Sequence, residues 1–408
     1  MERQLVVGDH NSCGECLLCP AYLAVPALAP LEWLDDDRRV ERAAVGHRFS
    51  LLLEDTGVVV AVGFNDDGQL GRGHANAANG DDSDNRIPRP VAGIGQQRIT
   101  QIAAGFGHCA AVAESGQLFA WGGNASGQCG TGAAGDSVPV ATRCAGGALA
   151  DAEARAALVA CGGYHTVAVM RDGGVVGFGS NGCGQLCTGK DDNQPMPVAI
   201  ACAVLEDGAR IVGCAASGHC THLVSDQGQV LAAGRNHHGQ LGLGHTNDVA
   251  TPHEIDAGHF GNARVAAVAC GGTHTLMLTC EGGVFACGHG HYGATGLGHA
   301  NDATAPAPVV GEVADARAVR IAAGAIRSWA LAEDGRVFGF GVESCVPQLL
   351  LGALAGTTVR ALGVGCFAQH SIFLAGAPPA EPGFDAPVTR ALQKPAALQP
   401  RTAAEAGR

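Results

Sequence analysis

The sequence predicts an all-β fold: a seven-bladed β-propeller of four-stranded blades, its ring closed by the N- and C-terminal segments forming one composite blade. Three observations carry this expectation. A block of the general form G-x-N-x-x-G-Q-L starts at Gly63, Gly122, Gly179 and Gly234. From Asn65 through Asn124, Asn181 and Asn236 to the equivalent Gly290 the steps are 59, 57, 55 and 54 residues, a period of repeated supersecondary units rather than of one folded core. Between the blocks lie short apolar runs separated by glycine-rich turns, and each end of the chain carries half a repeat.

The unit from Leu158 to Val198 shows the plan. Leu158 to Cys161, Thr166 to Met170 and Val175 to Phe178 are short apolar strands. Arg171-Asp172-Gly173-Gly174 is a hairpin turn, because glycine supplies the positive φ such turns need. Pro195-Met196-Pro197-Val198 forms an edge strand, since proline has no amide hydrogen to give an interior ladder. The first strand of each unit is lined with small residues, as in Ala103-Ala104-Gly105, Ala160-Cys161-Gly162 and Ala269-Cys270-Gly271, which suits crowding around a propeller axis. At the N-terminus Leu5-Val6-Val7-Gly8 and Asn11 to Cys16 look like the second half of a repeat. Val359 to Leu362 and His370 to Leu374 look like the first half. Joining them removes the exposed sheet edges and brings the count to seven blades. The propeller is expected over residues 1–376, and the Pro- and Ala-rich stretch 377–408 as a disordered tail.

Composition narrows the functional classes. A formal charge of -13 gives no electrostatic reason to bind nucleic acid or an anionic membrane. Leu17 to Leu34 is broken by Pro20, Pro26 and Pro30, so no membrane insertion is expected. Seventeen cysteines, with no cleavable hydrophobic signal at the start of the chain, read as free thiols in a reducing, intracellular compartment. Cytoplasm is the first expectation, with nucleus, mitochondria and cilia open.

Besides the Asn-Gly block the chain carries a Gly-x-x-His-(Ser/Thr) element, at Gly162 to Thr166 and Gly271 to Thr275. His108 and His370 occupy the same position, and Phe49, Cys220 and Arg327 replace it elsewhere. These two spaced motifs resemble the repeat family named after the regulator of chromosome condensation, over about residues 3 to 376. The resemblance implies a seven-bladed β-propeller and a rigid platform that binds other macromolecules. It also implies an alternative function: a guanine nucleotide exchange factor for a small Ran-like GTPase. The acidic residues expected beside the repeat histidines for that activity are replaced here by Gly107, Tyr164, Thr273 and Gln369.

Several patterns imitate chemistry. Gly184 to Asp191 nearly matches a phosphate-binding loop, but Asp191 stands where a hydroxyl would hold magnesium. No cofactor is expected. Cys13, Cys16 and Cys19 with His10 have the spacing of metal ligands; apolar packing is the preferred reading and a metal there the alternative. His237-His238 and His289-Gly290-His291 lie on blade loops at the same face of the ring and could come near one another; solvated loop histidines are the preferred reading. Asn65, Asn124, Asn181 and Asn236 are expected to hold loops through side-chain-to-backbone bonds, and His108, His165, His274 and His370 to be core residues bonded within the propeller.

The commitment is a non-catalytic protein-protein interaction scaffold, a structural or adaptor subunit of a larger assembly, itself monomeric. Partner binding is expected where repeats depart from their pattern. One such place is the acidic insertion with Asp81, Asp82 and Asp84. The other is Ser344 to Gly352, aligned with Asn236 to Gly244, in which Pro347 replaces a turn glycine and Leu349, Leu350 and Leu351 are candidates for an apolar docking patch, the alternative being that they turn inward and repack.

Overall fold

The computed structural model describes residues 5–6, 29–30, 39–75, 85, 87–202, 205, 208–342, 344–349, 359–364 and 371–375. Two short strands, β1 (Leu5–Val6) and β2 (Ala29–Pro30), pair antiparallel. Six four-stranded antiparallel sheets follow, each with its strands in chain order. Blade 1 is β3 (Val40–Val45), β4 (Phe49–Glu54), β5 (Val59–Gly63) and β6 (Arg89–Pro90). Blade 2 is β7 (Ile99–Ala104), β8 (His108–Ala113), β9 (Leu118–Asn124) and β10 (Gly135–Arg143). Blade 3 is β11 (Ala156–Cys161), β12 (His165–Met170), β13 (Val175–Gly179) and β14 (Gln194–Ala199). Blade 4 is β15 (Ile211–Ser217), β16 (Cys220–Ser225), β17 (Val230–Gly234) and β18 (Val249–Glu254). Blade 5 is β19 (Val265–Cys270), β20 (His274–Thr279), β21 (Val284–Gly288) and β22 (Ala303–Pro308). Blade 6 is β23 (Ala318–Ala323), β24 (Ser328–Ala332), β25 (Val337–Gly341) and β26 (Ser344–Leu349). A last hairpin joins β27 (Val359–Val364) to β28 (Ser371–Ala375).

The first strands neighbour one another in chain order, β27 follows β23, and β27 lies beside β3 to close the circle. The architecture is therefore a propeller. Its four-stranded blades number six among the described residues, not the expected seven. The position between blades 6 and 1 holds the two-stranded β27–β28 sheet, with β1 alongside β28 but β1–β2 forming a separate two-stranded sheet.

The second strands are buried along their whole length in all six blades, because each is flanked within its blade and sandwiched between blades. Separate apolar cores fill the junctions. Phe49, Leu51 and Leu53 meet Cys109 and Trp121 between blades 1 and 2; Leu276 and Leu278 meet Ala330, Phe338 and Phe340 between blades 5 and 6. The hairpin after β12 is the one read from the sequence: Gly173 has φ 91 and Met170 N–H donates to Gly174 O at 2.8 Å. The described cysteines are free thiols. Burial pushes those of Cys109, Cys129, Cys187 and Cys287 well up, so they act as small neutral packing groups. No helix among the described residues is long and apolar enough to cross a membrane.

Blade 6 corrects the expected alignment. The outer strands β14, β18 and β22 each bury a proline at their fourth residue, Pro197, Pro252 and Pro306. Pro347 is the buried fourth residue of β26. It is thus the outer-strand proline and replaces no turn glycine. Whereas β17 ends at Gly234 and β18 starts only at Val249, β25 ends at Gly341 and β26 starts at Ser344: the Asn-containing loop is missing from this blade. Leu349 packs on the blade 5–6 core rather than forming an exposed patch. Leu350, Leu351, Asp81, Asp82, Asp84, His370, the cluster of His10, Cys13, Cys16 and Cys19, and the tail 377–408 lie outside the described residues.

Candidate interaction face

The turns between first and second strands and the loops between third and fourth strands open on one face of the ring. Backbone bonds join them in blades 1 to 5: Phe64 to Arg48 O (2.8 Å), Gly123 to Gly107 O (2.7 Å), Ser180 to Tyr164 O (2.7 Å), Arg235 to His219 O (2.8 Å) and His289 to Thr273 O (2.9 Å).

Within each loop the repeat asparagine works from the inside. Asn65 Oδ1 accepts from Leu70 N–H (3.0 Å), Asn124 from Cys129 (3.0 Å), Asn181 from Leu186 (2.8 Å) and Asn236 from Leu241 (2.9 Å). Each Nδ2 donates across the loop, to the carbonyls of His74, Ala133, Lys190 and His245. The following glutamine caps the same turn, as when Gln240 Oε1 accepts from His238 N–H at 3.0 Å. Both ends of a buried backbone are satisfied without water.

The histidine element interlocks neighbouring blades. His108 Nε2 lies 3.0 Å from Thr166 Oγ1, His165 Nε2 3.0 Å from Thr221 Oγ1 and His274 Nε2 2.7 Å from Ser328 Oγ. Each hydroxyl donates its own proton to a loop carbonyl, Gln128 O (2.9 Å), Gln185 O (2.7 Å) or Ala294 O (2.6 Å). It therefore accepts from the imidazole, which fixes the Nε2–H tautomer. Burial pushes His108 and His274 down to about 4 and His165 to about 3, so all three are neutral stitches. The glycine three residues earlier belongs to the same unit, because a Cβ on Gly105, Gly162 or Gly271 would overlap the ring.

Blade 4 departs from this unit in two positions at once. Cys220 stands in place of the histidine and Ser217 in place of the glycine. The Ser217 hydroxyl fills the vacated space and donates to Gly271 O of blade 5. Behind Cys220, Cys270 Sγ lies 3.2 Å from His222 Nδ1, all three residues being buried. Hydrogen bonding from Cys270 holds the Cys220 thiol below its ordinary value, against the opposing effect of burial and with help from His222.

Nearer the solvent, four rings from successive blades form a strip. His47 stacks on Phe106 (centroids 4.3 Å apart), Phe106 on Tyr164 (5.6 Å) and Tyr164 on His219 (6.4 Å). Tyr164 is 37 % exposed, and Tyr292, Ile326 and Val342 on the same face are 45 %, 38 % and 43 % exposed. Val342 occupies the tight turn left by the missing loop, at φ 61, a conformation costly for a β-branched residue. Arg48 sits over the Phe64 ring at 4.7 Å. Burial, then the Arg235 charge, pushes His219 down.

The loop histidines of blades 4 and 5 do meet. His238 and His289 rings lie 4.2 Å apart by centroid, and His238 Nδ1 is 2.9 Å from Asp302 Oδ2. His291 stacks on His289 at 5.8 Å and touches Tyr292 edge-on. His237 instead faces Asp248, at 3.5 Å.

With this geometry in place, the whole-chain comparison is unambiguous: the RCC1-like domain matches residues 3–372. The chain belongs to the RCC1-like domain family. It is 30% identical over 308 residues to the ultraviolet-B receptor UVR8 of Arabidopsis thaliana, an alignment covering 75% of this chain and 66% of that receptor. The chain thus spans slightly less than two thirds of that relative's length. Among solved structures, human WBSCR16 superposes with a TM-score of 0.74 at 22% identity, covering 92% of this chain and 99% of the other. Prp20p of Saccharomyces cerevisiae gives 0.76 at 19% identity, covering 92% of each chain. Both likenesses show the RCC1-like fold.

Among the described residues, the sequence-selected Asn65, Asn124, Asn181, Asn236, His108, His165 and His274 thus sit inside the RCC1-like blades, in the geometry given above. The ring strip at the surface was missed, since its members lie one or two residues before the repeat histidine position in different blades. The signal available was Phe106 and Tyr164, large rings in the turn just before the repeat histidine, where blade 5 carries Gly272 and Thr273.

Proposed function

We propose that the protein is a non-catalytic protein-protein interaction scaffold, a structural or adaptor subunit of an intracellular assembly, and that it docks partners on the face carrying the ring strip. The observation that supports this is the run of His47, Phe106, Tyr164 and His219 on a stiff frame, with exposed Tyr292, Ile326 and Val342 beyond it. Aromatic anchors held rigid lose little entropy on binding and dominate interface energetics. We take the ring as completed by a seventh blade, in which the segment around β1 and β2 finishes the β27–β28 hairpin; removal of residues 1–30 should then lower the melting temperature.

Affinity purification from the native cell tests the docking face. Tyr164→Ala and Tyr292→Ala should each reduce recovery of a partner about tenfold or more while leaving the melting temperature within about 2 °C. Undiminished recovery from the double variant would overturn the assignment of this face.

A second reading is nucleotide exchange on a Ran-like GTPase. It is motivated by the fold shared with Prp20p, whose structure is described together with its binding to Gsp1p and histones. Release of labelled GDP from such a GTPase, accelerated by catalytic amounts of the protein, would favour that reading over the scaffold.

A further inference from the structure

We propose that His238, His289 and Asp302 form a binding site for one divalent transition-metal ion of the zinc class, bridging the loops of blades 4 and 5. Their ligand atoms all lie within 4.8 Å of one another. Tetrahedral zinc with imidazole ligands sets neighbouring donor atoms about 3.3 Å apart, and the partly exposed imidazoles can close that difference by rotation about their side-chain bonds.

Two features of the junction favour an ion. The carboxylate is already oriented: Asp302 Oδ1 accepts from Gly290 N–H at 3.0 Å while Oδ2 faces His238 at 2.9 Å, the kind of outer hydrogen bond that presets a metal ligand. Among the described residues, Asp302 has no Lys or Arg partner. The groups acting on it are His238, His289 and the Gly290 amide. One junction earlier, Cys183, Arg235 and Asp248 hold the corresponding positions, and there the guanidinium and the carboxylate both act on the thiol. The ring thus meets the same carboxylate with a permanent cation at one junction and with two imidazoles at the next.

Two imidazoles and a carboxylate suit zinc, cobalt, nickel or copper better than calcium or magnesium. With His238 and Asp302 side chains 37% and 39% exposed, a fourth coordination position is open to water.

The test is titration of the full chain, stripped with a chelator and desalted, with Co²⁺ as the probe and Zn²⁺ as competitor. We expect one Co²⁺ per chain with the weak visible absorption of a nitrogen- and oxygen-ligated ion, and no thiolate-to-metal charge-transfer band. His289→Ala should weaken binding by more than the roughly 10–100-fold typical of outer-shell changes. Asp302→Asn keeps an amide oxygen to accept from Gly290 N–H, so it should lose affinity while leaving the metal-free melting temperature unchanged. A charge-transfer band, showing that cysteines hold the ion, would overturn the assignment, as would unchanged binding in the His238→Ala/His289→Ala double variant or the absence of binding by the unaltered chain.

Discussion

Blades 3 and 4 occupy adjacent places in one ring and solve the same problem differently. In blade 3 a glycine, Gly162, makes room for His165, whose Nε2–H reaches Thr221 of the next blade. In blade 4 the imidazole is gone, and the side chains of Ser217 and Cys220 share the volume it would take. The difference teaches that the conserved-looking unit of this fold is not the histidine alone. It is a set of three: the small residue, the ring and the hydroxyl on the neighbouring blade. The first two change together because they compete for one space. Blade 1 follows the same logic, with Phe49 at the ring position and Cys109 at the hydroxyl position, where its Sγ donates to Gln69 O at 3.3 Å.

The comparison is tested most severely by acid. His108 and His274 lie at about 4 and His165 at about 3 in the folded protein, below the usual value near 6.5. The unfolded chain therefore binds protons that the folded chain refuses, so stability is full above pH 6.5 and is lost as pH falls toward 4 and then 3. Summed over the three, the loss is on the order of 10 kcal/mol at the acid end, comparable with the whole stability of a folded domain. Tryptophan fluorescence should report unfolding before pH 4. His165→Cys, which copies blade 4, should flatten the dependence.

Steric pairing comes next in size. Gly162→Ser should destabilise by about 3 kcal/mol through overlap with His165. The double variant Gly162→Ser/His165→Cys should recover much of that loss, because it reproduces the blade 4 pair. Additive urea midpoints would show that the two positions do not share one volume. His165→Ala alone should cost about 2–4 kcal/mol, for the cavity and for the lost bond to Thr221.

Much of this frame was legible in the sequence. The strand runs and Gly-rich turns of residues 158 to 198 could be placed because alternating turns and apolar stretches act locally. The interlock was not legible, since His165 and Thr221 are joined only by closing one blade against the next. Blade 6 shows a different limit. Aligning Ser344 to Gly352 by residue count assumed that each blade keeps its loop, whereas the buried fourth-position proline of β14, β18 and β22 is the physical marker that identifies Pro347. The meeting of His238 with His289 was accessible as a same-face argument, but the contribution of Asp302 required the loop to be folded.

The smallest expected effect separates loops that carry the asparagine from the one that does not. Asn181 satisfies Leu186 N–H and Lys190 O from within its loop, so Asn181→Ala leaves the buried Leu186 donor unpaired and should cost about 2 kcal/mol. In blade 5 the position is Gly290, and a Cβ there would overlap Asn301 O, so that loop has no room for the asparagine. It keeps only the bond from outside that blades 3 and 4 also have, where Asn193 and Asp248 accept from the Asn181 and Asn236 amides; here Asp302 accepts from the Gly290 amide. Asp302→Asn preserves that acceptor and should change the urea midpoint by under about 0.5 kcal/mol. No loss on Asn181→Ala would mean that the inward bonds of the asparagine do not hold its loop, and a large loss on Asp302→Asn would mean that the carboxylate does more than accept from the Gly290 amide.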